Sequence, residues 1–315
     1  MNRLAPDDFK DYVSDLKIDG LRGRYWQAPA LSKRASARTL VAVYGHHSSL
    51  ERNLGLAQYL RRFGRVLIPD LPGFGGMDSF YETGRLPTLD NYADYLKAFL
   101  DAELDKDKPV VLVGFSLGFL IATRFLQRHP AYRERVSSAV SVAGFVKHDC
   151  LKFDPGRRCF YLTVANTVRT KLGAAVFRRL LLNRWVLRRF YARTYSARHK
   201  FAGRSPADRE RFLKMEVGLW HLNDSRTWAF TAKEMLTCDL TGKRLKLPLF
   251  HLDVAGDQFL DAATNLANLK RIYNKVEVLN VESSAHAPSV IASAEEIEAI
   301  MPDDMADVVR RSFKG

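Results

Sequence analysis

The sequence predicts an α/β architecture: a mostly parallel central sheet flanked by helices, with a helical segment inserted. Two observations carry that prediction. Short, β-branched, apolar runs recur with helical stretches between them, the pattern of a parallel sheet buried on both faces. The rhythm breaks after Val146 and resumes near Leu247, and the intervening stretch is helical, basic and without a convincing buried strand.

In chain order, the first forty residues are expected to supply one or two antiparallel edge strands. Strands are predicted at 39–44 (TLVAVY), 65–68 (RVLI), 110–113 (VVLV), 136–142 (VSSAVSV), 247–253 (LPLFHLD) and 276–281 (VEVLNV). A helix starts after Thr88, whose hydroxyl suits an N-cap, because Leu89, Tyr92, Leu96, Phe99 and Leu100 share one face. Another runs from Ser116 towards His129 and stops before Pro130. Residues 147–234 are expected to form a helical cap, or lid, inserted into a core made of 1–146 and 235–315. Within it Val176, Leu180, Leu187, Phe190 and Tyr191 fall on one helical face, continuous or broken in two, with Arg178, Arg179, Arg189 and Arg193 roughly opposite. An insertion there would fold over the strand ends, where open α/β sheets bind ligands, and Trp185 and Phe190 would shape the pocket.

At 315 residues the chain can bury one large core with an inserted subdomain. Its polar beginning does not read as a signal peptide and no apolar run reaches membrane-spanning length, so a cytoplasmic address is expected. Cys150, Cys159 and Cys238 are odd in number and lack metal-ligand spacing, which suits reduced thiols and suggests no metal. The net charge of +14 is concentrated: residues 147–234 hold 20 Lys and Arg against 7 Asp and Glu. No stacking motif, helix-turn-helix or zinc-finger spacing accompanies that charge, so no nucleic-acid partner is expected. The basic segment could instead attract an anionic membrane, with Trp185 and Leu182 towards the bilayer, or an acidic substrate.

The chemistry concentrates at Gly114-Phe-Ser-Leu-Gly118, between a predicted strand and a predicted helix. In that context G-x-S-x-G reads as a nucleophile elbow, a turn too sharp for side chains at Gly114 and Gly118 that exposes the Ser116 hydroxyl. The alternative is an ordinary N-cap serine. A serine nucleophile needs a base and a group to orient that base. His286 suits the base, because it follows the last predicted strand in a loop able to reach back over the sheet. Asp257 suits the acid, beside Gly256 after the strand 247–253, with Asp253 and Asp261 as rivals. A tetrahedral intermediate would need backbone donors, assigned to the N–H groups of Leu117 and of His46, in the loop after the strand 39–44.

These motifs resemble the α/β-hydrolase superfamily, in its carboxylesterase-like branch of cap-bearing serine hydrolases. The resemblance rests on Val43-Tyr-Gly-His46, Pro69-Asp-Leu-Pro-Gly-Phe-Gly75, Gly114-Phe-Ser-Leu-Gly118, Ala255-Gly-Asp257 and His286-Ala-Pro288, in the chain order Ser116, Asp257, His286. Two departures stand out: Tyr44 replaces the family's usual histidine, and the cap is rich in arginine. The resemblance implies an α/β-hydrolase fold, no cofactor, and hydrolysis of a small-molecule carboxylic ester or lactone through an acyl-enzyme. A serine at the elbow sets the chain apart from dehalogenases and epoxide hydrolases, which use aspartate there. A lactonase, for example one acting on acyl-homoserine lactones, would use the same parts. So would a thioesterase or a carbon–carbon bond hydrolase, whereas a non-catalytic binding module would leave the triad unused.

Overall fold

The computed structural model describes residues 11–105, 108–193, 205–254, 256–281, 294–301 and 305–313. Among them, β1 (Val13–Ile18) and β2 (Leu21–Ala28) form an antiparallel hairpin whose turn, Asp19-Gly20, takes the positive φ angles that a tight two-residue turn needs. β2 pairs antiparallel with β4 (Arg65–Pro69). From there β3 (Thr39–Val43), β5 (Val110–Phe115), β6 (Val136–Val142), β7 (Leu245–Val254) and β8 (Tyr273–Val281) extend the sheet in parallel, in the order β1-β2-β4-β3-β5-β6-β7-β8. The chain reverses its direction of travel across the sheet on leaving β3, so the crevice lies at the carboxyl ends of β3 and β5. All residues of β3 and the first five of β5 are buried, as helical cover on both faces requires.

α1 (Leu54–Leu60), α2 (Leu89–Glu103) and α3 (Leu117–Arg128) follow β3, β4 and β5. The Thr88 hydroxyl accepts the Asn91 N–H at 3.2 Å as the N-cap of α2. Among the described residues, five α-helices lie between β6 and β7: α4 (Pro155–Val168), α5 (Lys171–Leu180), α6 (Arg184–Arg193), α7 (Pro206–Leu222) and α8 (Ser225–Thr237). α9 (Ala262–Ile272), α10 (Ala294–Ile300) and α11 (Met305–Ser312) complete the order.

The amphipathic stretch expected over 176–191 is broken at Leu181–Asn183, where the Asn183 side chain caps the next helix by accepting the Trp185 N–H at 2.9 Å. The break resets the helical phase and divides the expected face. Leu187 and Tyr191 turn inward, and the Tyr191 hydroxyl accepts from Trp220 Nε1 at 2.9 Å. Val176, Leu180 and Phe190 face solvent. Leu182 is buried against Leu187 and Val217, which corrects the expectation that it faces a bilayer.

A polar cluster holds the loop after β4. Asp70 is fully buried; Arg24 on β2 donates to its Oδ2 from Nε at 3.2 Å and from Nη2 at 3.1 Å, and Tyr44 donates to Oδ1 at 3.0 Å. The same Tyr44 oxygen accepts the Leu71 N–H at 2.7 Å. Tyr44 thus ties the loop after β3 to the loop after β4. Burial pushes Asp70 up to about 8, against the opposing pull of Arg24.

His251 on β7 is buried with Ser141 Oγ 3.0 Å from Nδ1 and the Asn265 amide nitrogen 3.4 Å from Nε2. Asn265 also donates to the Gly144 carbonyl, so Nε2 of His251 faces a donor and cannot gain a proton without losing that contact. Burial lowers His251 to about 4. Between about 4 and the ordinary 6.5 the unfolded chain holds this proton and the folded chain does not, so acid favours unfolding. Asp70 works in the opposite sense. The difference between wild type and His251→Asn isolates the histidine: urea unfolding from neutral pH down to pH ~4 should lose on the order of 3 kcal/mol less in the variant.

Candidate active site

β5 ends at Phe115 and α3 begins at Leu117, so the chain must turn from strand to helix within one residue. Ser116 makes that turn with φ +46° and ψ −112°, a strained conformation for a residue with a side chain. Packing holds it there. A Cβ on Gly114 would stand 2.5 Å from Phe119 Cα, and one on Gly118 would overlap the Val43 carbonyl. The Ser116 N–H donates to the Val142 carbonyl at 3.3 Å, and its own carbonyl accepts the Phe119 N–H at 3.0 Å. Leu117 is the first residue of α3, where a backbone N–H has no intrahelical acceptor and the helix end favours negative charge.

The loop after β3 passes beside the serine. A Cβ at Gly45 would lie 3.3 Å from the Phe115 carbonyl oxygen and 3.5 Å from Ser116 Cβ, which shows how closely the loop runs. Next to it His46 Nε2 lies 3.0 Å from the Trp228 carbonyl, an acceptor, so Nε2 carries the proton. The ring sits between Phe74 and Trp228, and burial lowers its pKa to about 4. His46 is a neutral anchor that holds its own backbone beside Ser116. His47 follows with φ +55°, packs against Trp220 in a tilted arrangement at 4.2 Å between centroids, and has Nδ1 3.2 Å from the Asn223 amide nitrogen. Asn223 Oδ1 accepts the Gly75 N–H at 2.9 Å, so one side chain between α7 and α8 braces both loops. Asn223 and Trp228 carry no motif; they lie 148 and 182 residues from the groups they hold, and only their place in the fold reveals them.

Asp257 is buried in the turn after β7. Its Oδ1 accepts the N–H groups of Phe259 at 2.7 Å and Leu260 at 3.2 Å, which fix the carboxylate. Of its rivals, Asp261 caps α9 by accepting the Thr264 N–H at 2.9 Å, and Asp253, at the end of β7, is pushed up by burial and by Asp257. His286 lies outside the described residues. Val281 and Ile297, on either side of it in sequence, both line the cavity described next.

A cavity of about 540 Å³ opens at Ser116. Gly45, His46 and Ser48 line it from the loop after β3, with Phe115, Val142, Ala143 and Phe145 beneath. α4 contributes Tyr161, Val164 and Ala165, and α8 contributes Trp228, Ala232, Met235 and Leu236. Phe259 and Leu260, the residues that hold the Asp257 carboxylate, complete that wall. Arg52, a charged side chain at its margin, is paired with Glu216 at 3.2 Å. Trp185 and Phe190, expected to shape this pocket, are 66% and 59% exposed and do not line it. The phase change at Asn183 turns them outward.

The chain matches the sequence profile of the alpha/beta hydrolase family over residues 20–299. No curated protein sequence matches it. Among solved structures, it is similar to an esterase from Thermogutta terrifontis at 18% identity, over 96% of this chain and 98% of that one, with a TM-score of 0.62. It is similar also to an enol-lactonase from Burkholderia xenovorans LB400, at 14% identity over 96% and 100% with a TM-score of 0.64. An esterase from Exiguobacterium antarcticum aligns at 15% identity over 95% and 97%, with a TM-score of 0.64. At such identities the likeness is one of fold.

The elbow geometry has a direct test. Gly118→Ala must displace the Val43 carbonyl or α3, and should cost at least ~2 kcal/mol in urea unfolding, whereas Gly242→Ala, where a Cβ meets nothing within 4 Å, should stay within about 0.5 kcal/mol of wild type.

Proposed function

Because the chain belongs to the alpha/beta hydrolase family, we propose that it is a serine hydrolase that cleaves carboxylic esters with an apolar acyl group through an acyl-enzyme. The observation that carries this reading is Ser116 in a strained strand-to-helix turn, opening onto an apolar cavity beside the helix N-terminus of α3. In this account the Ser116 hydroxyl attacks the ester carbonyl while His286 takes its proton, and Asp257 orients the imidazole and stabilises its charge. The N–H groups of His46 and Leu117 receive the oxyanion. Collapse of the tetrahedral intermediate breaks the bond to the alcohol oxygen, which leaves with the proton from His286. Water, deprotonated by His286, then attacks the acyl-enzyme, and the carboxylic acid departs as Ser116 recovers its proton.

Residues 147–234 act as a cap in this reading, with α4 and α8 roofing the acyl site. The lining supports the substrate class: aromatic and aliphatic side chains reward an apolar acyl chain by burial, about 0.8 kcal/mol for each methylene. Lactones present the same carbonyl chemistry to the same groups and belong in the same substrate panel.

Hydrolysis of p-nitrophenyl esters from acetate to laurate should fall by ~10³-fold or more in Ser116→Ala, and comparably in His286→Ala. Unchanged turnover in Ser116→Ala would overturn the assignment, and no turnover by the folded wild type on any ester or lactone would favour a binding module. The cavity makes a separate prediction. Val164→Phe should shift the ratio of kcat/KM for long over short acyl chains by about tenfold towards short, while Trp185→Ala should leave that ratio unchanged.

A further inference from the structure

The outer face of α5 and α6 has a character that the cavity does not explain. Leu172, Val176 and Leu180 follow one another at i, i+4 and i+8 and are 77%, 48% and 62% exposed. α5 is anchored by its other side, where Ala174 is buried and Phe177 stacks on Trp228 at 5.7 Å between centroids. The apolar stripe therefore faces water, and beyond the break Leu181, Trp185 and Phe190 are also more than half exposed. An apolar surface of this extent on a soluble face marks an interaction site.

Its surroundings say what would cover it. Residues 155–193 contain ten Lys and Arg and no Asp or Glu. On α5, Lys171, Arg178 and Arg179 are exposed and have no ion-pair partner among the described residues. Arg189 lies over the Trp185 ring at 5.1 Å, and Arg188 is paired with Glu210 of α7. A second copy of the chain would bring two uniformly basic rims together and be repelled. A nucleic acid would satisfy the cations and leave the leucines and the tryptophan in water. A bilayer carrying anionic headgroups answers both, with phosphates for the cations and the acyl boundary for the apolar stripe.

We propose that the exposed face of α5 and α6 docks the protein onto anionic lipid membranes, with Leu172, Val176, Leu180 and Trp185 entering the headgroup–acyl boundary and Lys171, Arg178 and Arg179 meeting lipid phosphates. This surface lies on the outside of the segment whose α4 and α8 line the cavity, and it requires no transmembrane helix; among the described residues no helix is long and apolar enough to cross a membrane.

Co-flotation of the full-length chain with phosphatidylglycerol–phosphatidylcholine vesicles tests it. The wild type should float with these vesicles at low salt, remain unbound with pure phosphatidylcholine, and dissociate at ~1 M salt, where screening shortens the reach of charge to about 3 Å. Leu180→Glu/Trp185→Glu should reduce binding at least ~10-fold, and Arg178→Gln/Arg179→Gln should do so without altering the apolar stripe. These positions are exposed, so thermal unfolding should match wild type; the arginine pair serves if the first variant does not fold. No flotation of wild type, flotation unchanged in a folded variant, or equal binding to neutral vesicles would overturn the proposal. So would a dimer in sedimentation that both variants dissolve while vesicles stay unbound. Flotation reads no turnover, so its failure leaves ester hydrolysis standing.

Discussion

The passage of α3 across the end of β3 is the constraint on which the site depends. Gly118 has no room for a side chain against the Val43 carbonyl, and Gly114 has none against Phe119. With both backbones this close, the residue between strand and helix can only turn sharply, and Ser116 adopts φ +46°. The same approach brings the loop after β3 alongside the serine at Gly45. A strained serine, a helix N-terminus and the loop after β3 are thus brought together by one close contact in the sheet's centre.

Polar and aromatic ties then hold the two loops that flank the serine. Tyr44 joins them from within the core through Asp70 and Leu71, and Asn223 joins them from the helical segment through His47 and Gly75. Phe177, Trp220 and Trp228 pack together above His46 and His47. The helices between β6 and β7 are therefore part of the site's architecture. Their inner side, through α4 and α8, supplies cavity wall, and their outer side, through α5 and α6, supplies a basic apolar surface.

Much of this was legible in the chain. β3, β5 and β6 begin at the expected residues because valine-rich runs without charged side chains have one comfortable setting, the buried interior of a parallel sheet. β8 starts at Tyr273, three residues before the expected strand, because its opening Tyr-Asn-Lys lacks apolar alternation and pairs only through its neighbour β7. The elbow was legible because two glycines around a serine have a steric cause. The break between α5 and α6 was written in Asn183, a good N-cap, but spacing alone could not decide whether the apolar face ran through it. Asp70's partners, Asn223 and Trp228 were not legible, since their contacts join residues far apart in the chain. The tyrosine at position 44 is likewise explained only by the buried carboxylate it serves.

The central claim is that Ser116 is an activated nucleophile, and covalent labelling with a fluorophosphonate, read by intact mass and peptide mapping, tests it most directly. The account predicts a single adduct on the peptide containing Gly114-Phe-Ser-Leu-Gly118, located at Ser116 and absent from Ser116→Ala. A folded wild-type protein that takes no label, or takes it at another residue, would contradict it.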